Sequence, residues 1–600
     1  MGKGQITYEI RRVMEYRHFF VGEEPIDISS TLKLFSRNSL ISAAVILSHH
    51  YGNFSMPDGG RSFFSESSKK HIAYLNKLFS DYFGKVGVGR GQKVEMTTYR
   101  TTLELWRLIF SIRPEEFSDE VAESDFELLL FKVILTLNEK IVSFTEREQD
   151  YGLDELMFLN GFLTNDSNRY DFKAIMQPQT FYFHQLVDFI PTNDVLSRTA
   201  EKLFSDWGID CWQQYFTTIL CIAAETDKYI VNNKKGLPVI TPEWIALNEK
   251  SGFLSSSLID YLSIDEDAYL PYEEEMEEIK DLNIDYRHFR SKPFVKFKDG
   301  SGYVVINNQL LCERLFNSLF FDFSPLINGK KGSLGLFDYN KQFVEKVLFR
   351  NTFFNCIPSD NYTFPERGLE KREERPHEPD FYVRTKRGEL VIVECKAIKM
   401  NGECRDDGDY ARLLDELHEK IVLKTRNLDK NRKEHKGEPE PIGVGQLTNH
   451  IESIEADDFE WDEDIPNDVA YYPLLVFEDV KLVQTGILSI VNRWFYEELD
   501  KKKELVLKDC SIMPIMVIST NTLYLYDTFL VKRGICNVID AFVKDYARYD
   551  SETGQYVVDV LADFDAYLRR NTYKKAGNAV RWLRKIMKQG NIEGVKEKKC

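Results

Sequence analysis

The strongest constraint on the fold lies in residues 379–396, where the apolar run Leu390-Val391-Ile392-Val393 stops abruptly at Glu394-Cys395-Lys396. A run that is apolar on both sides suits a strand covered on both faces. Upstream, Pro379-Asp380 opens a second extended segment, Phe381 to Thr385, and Lys386-Arg387-Gly388 lies between the two. Glycine in the third position of a three-residue turn supplies the left-handed backbone that closes a hairpin. Centring the hairpin on Arg387 sets Thr385 opposite Glu389, and the same register sets Asp380 opposite Glu394. Directly opposed residues hold their Cβ atoms about 4.5–5.5 Å apart. Glu394 and Lys396 are two apart on one strand and project from the same face. Two carboxylates and a lysine are therefore predicted to converge at one end of a strand pair. Facing carboxylates repel unless a cation lies between them. A divalent metal with oxygen ligands is one solution, and a surface ion pair on an ordinary hairpin is the other.

The rest of the chain divides by pattern into a multidomain α + α/β protein. Its 600 residues exceed one core, and about 150 residues per domain gives roughly three or four. Residues 1–265 are predicted to be mostly helical, a sensor or scaffold. Apolar side chains recur there at three and four, as in Leu103 to Phe110, Phe126 to Leu135 and Thr199 to Ala224. The basic, glycine-rich stretch Gly84 to Lys93 follows a helical pattern, and no Ser or Thr follows its lysine. A phosphate-cradling loop needs both a preceding strand and that hydroxyl, so a mobile connector is expected. Residues 266–335 read as an acidic linker (Glu273, Glu274, Glu275, Glu277, Glu278) and a small hairpin–helix module, with Asp299-Gly300-Ser301-Gly302 as its turn.

Residues 336–485 are predicted to be a compact core of mixed sheet flanked by helices. A helix over 339–350 precedes the hairpin at 381–397. A charged insertion at roughly 400–440, a helix from near Gly445 and a strand over Tyr472–Phe477 follow. The acidic run Glu455 to Asp468 is expected to be a flexible loop, the alternative being a DNA-mimicking or autoinhibitory element. Residues 486–600 form an α/β extension: a helix over 488–503, a β segment from Met513 to Tyr526, and helices ending in a basic terminal segment.

Charge and cysteine usage narrow the function. A net charge of −18 excludes a chain that coats nucleic acid with its whole surface, but not one with a local basic groove. In the terminal segment Arg581, Arg584, Lys585 and Lys588 fall on one helix stripe, a candidate for phosphate contacts or a solubilising helix. The 9 cysteines are scattered and form no CxxC pair, as reduced thiols in a cytoplasmic protein would be. Cys404 and His418 lack the usual spacing of zinc ligands. No stretch approaches the roughly 18–20 apolar residues that cross a bilayer, and no membrane partner is expected.

The segment from Pro379-Asp380 to Glu394-Cys395-Lys396 resembles the PD-(D/E)XK nuclease superfamily. The likeness spans roughly 140 of the 600 residues, about a domain's worth. It implies a core in the order helix, three strands, helix, strand, of which two of the three strands are legible here. It further implies that Asp380 and Glu394 hold Mg²⁺ (or Mn²⁺), that Lys396 positions or activates the attacking water, and that Glu345 on the first helix is a third acid. Exonuclease-like members carry Gln on the second helix and Tyr four residues later. Gln446 fits, and His450 stands where Tyr is expected, so both would share a helix face near substrate.

The function expected from this resemblance is metal-dependent hydrolysis of phosphodiester bonds in nucleic acid, DNA over RNA. By analogy of architecture it is that of a prokaryotic defence effector, with a protein partner or a second copy engaged through the helical N-terminal region. The alternatives are a non-catalytic nucleic-acid-binding module of the same fold and an interaction scaffold.

Overall fold

A computed structural model describes residues 11–50, 63–65, 68–86, 93–141, 151–164, 171–232, 236–271, 286–357, 362–363, 379–400, 410–425, 439–462, 464–502 and 512–572. The chain separates into two compact units, Met1–Gln149 with Leu163–Leu336, and Asp150–Phe162 with Phe337–Cys600. Much of the predicted acidic linker, the centre of the glycine-rich stretch, Cys404, and the basic stripe Arg581, Arg584, Lys585 and Lys588 lie outside the described residues.

The first unit is mainly helical. Its longer helices include Arg37–His50, Tyr99–Ser111, Glu123–Ile141, Phe172–Phe189, Asp194–Trp207 and Trp212–Val231. Local chemistry sets their ends: Asn193 accepts the N–H groups of Val195 and Leu196, and Gly208 closes the same helix with a left-handed φ of 62°. Two small sheets interrupt the helices. Arg11–Val13 pairs in parallel with Lys93–Glu95, and buried Asn138 donates to the Met14 and Met96 carbonyls beside them. In the second sheet the hairpin strands Phe294–Lys296 and Tyr303–Val305 pair antiparallel. Ser263–Asp265 joins its edge in parallel. The hairpin predicted within residues 266–335 thus pairs with a strand that begins at Ser263, and it falls in the same compact unit as the helices that precede it.

The second unit is α/β and carries the hairpin. Its elements in chain order begin with α1 (Leu153–Thr164), α2 (Asn340–Phe349), α3 (Arg350–Cys356), β1 (Tyr362–Thr363), β2 (Phe381–Thr385) and β3 (Glu389–Lys396). They continue with α4 (Tyr410–Ile421), α5 (Val444–Glu455), β4 (Ala470–Phe477), α6 (Ile487–Asp500), β5 (Met516–Ser519) and α7 (Thr520–Leu525). The five strands lie in the order β5-β4-β3-β2-β1. β1, β2 and β3 are antiparallel neighbours, whereas β3, β4 and β5 run parallel. The hairpin register is the predicted one: Phe381 faces Val393 and Arg384 faces Leu390, and Gly388 turns with φ at 80°.

β3 and β4 are buried along almost their whole length, as central parallel strands must be. Pro473 is tolerated inside β4 because the ladder to β5 begins only at Leu474. Helices cover both faces. On one, Phe353 of α3 stacks on Phe381 with ring centroids 4.9 Å apart. On the other, α5 lies over β3, and Asn492 of α6 donates to the Ile515 carbonyl at the start of β5.

Three expectations change in this unit. The β segment predicted over Met513–Tyr526 is a strand only over Met516–Ser519. Ser519 then caps α7 by a reciprocal pair of bonds with Thr522, which ends the strand. The acidic run Glu455–Asp468 is mostly exposed in its described part, with Asp457, Asp458, Glu460, Asp464 and Asp468 facing solvent, but its centre is anchored. Phe459, Trp461 and Asp462 are buried, and Asp462 accepts from Arg384 at 2.8 Å and from the Tyr382 hydroxyl at 2.9 Å. The charged insertion at 400–440 contains α4, whose Tyr410, Leu413, Leu417 and Ile421 share a buried stripe.

α1 comes from far upstream but is built into this unit. Asp154 accepts from Ser489 at 2.9 Å, and Glu155 from Arg493 at 2.6 Å, both partners on α6. Gly486 permits the approach: a Cβ there would stand 2.1 Å from the Asp154 carbonyl oxygen.

Candidate active site

The apolar stretch of β3 ends with its last charges still inside the fold, so Glu394 is fully buried. A carboxylate in that position needs partners on both oxygens. Lys396, two residues on and on the same face, donates from Nζ to Glu394 Oε2 at 2.8 Å. His450, in the middle of α5, brings Nε2 to 3.0 Å from Oε1. Across the hairpin, Asp380 Oδ2 accepts the Cys395 N–H at 2.7 Å and lies 3.8 Å from Lys396 Nζ. Asp380, Glu394 and Lys396 thus meet as the register requires.

The electrostatics assign different states to the three. Burial works against the charge on Glu394, but Lys396 and His450 outweigh it and hold its carboxyl below the usual range. Burial likewise opposes the Lys396 charge, yet Glu394 and Asp380 together raise its pKa. The ammonium is therefore firmly protonated. Asp380 is pushed up to about 8, first by burial and then by the negative charge of Glu394, against the pull of Lys396 and the Cys395 N–H. About a third of its side chain remains open (31 %), and water reaching that side moderates the rise.

Glu345 lies on α2, a helix with i→i+5 hydrogen bonding, a geometry frequent at functional sites. It is half-buried. Burial raises its pKa against the pull of Lys396, and its own charge is felt at Asp380. Gln446 does something other than reach the site. Its side-chain oxygen accepts the Gly443 N–H at 2.8 Å and closes the first turn of α5, which begins at Gly443 with a φ of 51°. The helix position that touches the acids is His450. Its signal in the sequence was its spacing, four residues after Gln446 and so on the same helix face.

Among the described residues, no three His, Cys, Asp or Glu side chains stand close enough to hold a metal. The donor chemistry nevertheless fits a hard divalent cation. Three carboxylates, Asp380, Glu394 and Glu345, influence one another around a single lysine. The raised pKa of Asp380 reflects that excess of negative charge in a poorly solvated place, and a divalent cation with oxygen ligands would relieve it.

No family model, no curated protein and no solved structure matches this chain.

Proposed function

We propose that the second unit is a metal-dependent hydrolase of phosphodiester bonds in nucleic acid. The observation that carries the reading is the meeting of Asp380, Glu394 and Lys396 at the buried end of β3, in a register set by the Lys386–Gly388 turn. The order of elements around them supports it: helix α2, three antiparallel strands β1 to β3, helix α5, then β4 parallel to β3. That is the order implied by the resemblance to the PD-(D/E)XK nucleases, including the third strand that the sequence concealed.

In this reading Asp380 and Glu394 would hold Mg²⁺ or Mn²⁺, with Glu345 as the further acid. The chemistry contributed by a bound divalent ion is neutralisation of charge at the scissile phosphate and activation of water. The chain's own groups divide the remaining work. Lys396, held protonated, is a donor that orients water or a phosphate oxygen, and is not a proton acceptor while both carboxylates flank it. Asp380 is the carboxylate of the set that opens to solvent. His450 fixes one oxygen of Glu394. DNA is the substrate favoured by the resemblance. A sensing role for the first unit rests on analogy with defence effectors.

One observation favours a second reading. Both Glu394 oxygens are engaged within the protein, by Lys396 and His450, as a non-catalytic nucleic-acid-binding module would keep them. Incubation of the full chain with DNA and RNA panels, with Mg²⁺, Mn²⁺ or chelator, separates the two. The nuclease reading expects metal-dependent cleavage that Lys396→Ala abolishes at a temperature where the variant is still folded. Cleavage unaffected by Lys396→Ala removes the assignment. Metal-independent binding without cleavage supports the second reading.

A further inference from the structure

The α5 residue nearest the acids is not in a position to meet substrate. His450 is almost fully buried, its Nε2 lies 3.0 Å from Glu394 Oε1, and the other Glu394 oxygen is held by Lys396 at 2.8 Å. The imidazole is itself braced. Phe459 lies edge-on to it, with ring centroids 6.4 Å apart, and packs in turn against Tyr382 at 5.3 Å. Tyr382 and Arg384 of β2 both bond Asp462, which fastens the segment carrying Phe459 to the sheet. The contacts therefore run without a break from Asp462 through Tyr382, Phe459 and His450 to Glu394.

We infer that His450 is a positioning residue for Glu394, holding the carboxylate ready for a divalent cation, and that the inward-turned Phe459 and Asp462 of the acidic run are its brace. The inference rests on the nuclease reading above and assigns no direct chemistry to His450. It gives a role to two features the sequence left unexplained: the histidine in place of tyrosine, and the inward turn of Phe459 and Asp462 within a mostly exposed acidic run. Partners that orient a metal-binding carboxylate typically set metal affinity by roughly 10–100-fold.

The test is a calorimetric titration of the full-length protein with Mn²⁺ alone, without nucleic acid, for wild type, His450→Phe and His450→Gln. Gln places an amide N–H near the position of Nε2, whereas Phe keeps the ring volume without a donor. The expected result is a Kd raised about 10–100-fold in His450→Phe and restored to within about threefold of wild type in His450→Gln, with similar melting temperatures for both. If His450→Phe fails to fold, His450→Asn replaces it, because its shorter amide does not span the gap to Glu394. Wild-type affinity in the folded donor-less variant overturns the positioning role alone and leaves the nuclease reading intact. So does equal loss in Phe and Gln variants of equal stability. No Mn²⁺ binding by the wild type overturns the inference together with the reading beneath it.

Discussion

Replacing Lys396 by Met tests whether the site is the buried charge system described. Met keeps most of the side-chain length and removes the ammonium, so Glu394, fully buried, loses its 2.8 Å partner and keeps only His450. Removing one member of a buried ion pair costs about 3–5 kcal/mol. Because His450 still donates to the other oxygen, the lower end, about 3 kcal/mol, is expected. In a unit of this size each kcal/mol moves Tm by about 2 °C, so the shift at pH 7 is about 6 °C. Its sign with pH follows from the carboxyl. In the wild type the Glu394 pKa is lowered, so its stabilising contribution is present above the unfolded value and is lost as pH falls through the folded one. In Lys396→Met burial dominates and the folded pKa rises, so the ionised form is disfavoured and the deficit grows as pH rises. The gap between the proteins should therefore widen from pH 4 to pH 7. Glu394→Gln combined with Lys396→Met removes both charges and should recover at least half the loss. Scanning calorimetry following the transition of the second unit measures all three proteins. A single variant within 1 °C of wild type at pH 7 (about half a kcal/mol), or a double variant as unstable as the single, refutes the reasoning.

Three further outcomes follow from other contacts. Asp380 has a folded pKa raised to about 8, so its contribution to stability is complete below the unfolded carboxyl value and is lost as pH rises through 8. Asp380→Asn should therefore gain stability relative to wild type between pH 5 and pH 9 in thermal melts without metal, and a constant difference would contradict the assigned state. Gly486→Ala forces a Cβ to 2.1 Å from the Asp154 carbonyl oxygen at a φ of 99°, so α1 must shift off α6. Hydrogen exchange of α1 amides should quicken at least tenfold, an opening equilibrium changed by about 1.4 kcal/mol, and unchanged exchange would show that the docking is not as described. Asp462→Ala strips the acceptor from Arg384 and Tyr382, with an expected loss of about 1–3 kcal/mol and new protease cleavage near Phe459. An uncut segment would remove the bracing role of Asp462.

The hairpin was legible because turn chemistry and strand period act locally. Gly388 in the third turn position sets the register, and the register alone brings Asp380 opposite Glu394. The helix carrying Glu345 and the strand Tyr472–Phe477 were legible for the same reason, from apolar period. What stayed hidden depends on distant partners. The strand Tyr362–Thr363 is too short to show a period and exists through pairing with Arg384 and Thr385. Asp462 looks solvated in sequence because the residues around it are acidic, yet Arg384, remote along the chain, draws it in. α1 reads as one more N-terminal helix, and its contacts with Ser489, Arg493 and Gly486 place it in the second unit. Gln446 and His450 exchanged their expected importance because a free first-turn N–H at Gly443 takes the glutamine. A buried carboxylate takes the histidine.

The central claim is that Asp380 and Glu394 form a divalent-metal site for cleaving nucleic acid. It is tested most directly by single-turnover cleavage of labelled DNA and RNA across a Mg²⁺ titration, comparing wild type with Asp380→Asn. Asp380 is the partly open member of the set, so its variant retains the buried Glu394–Lys396–His450 contacts. The expected result is saturable, chelator-sensitive cleavage by the wild type and a loss of at least a thousandfold in Asp380→Asn, about 4 kcal/mol of transition-state stabilisation. Equal cleavage by the two proteins, or no cleavage of any substrate by folded wild type at saturating Mg²⁺ or Mn²⁺, would contradict it.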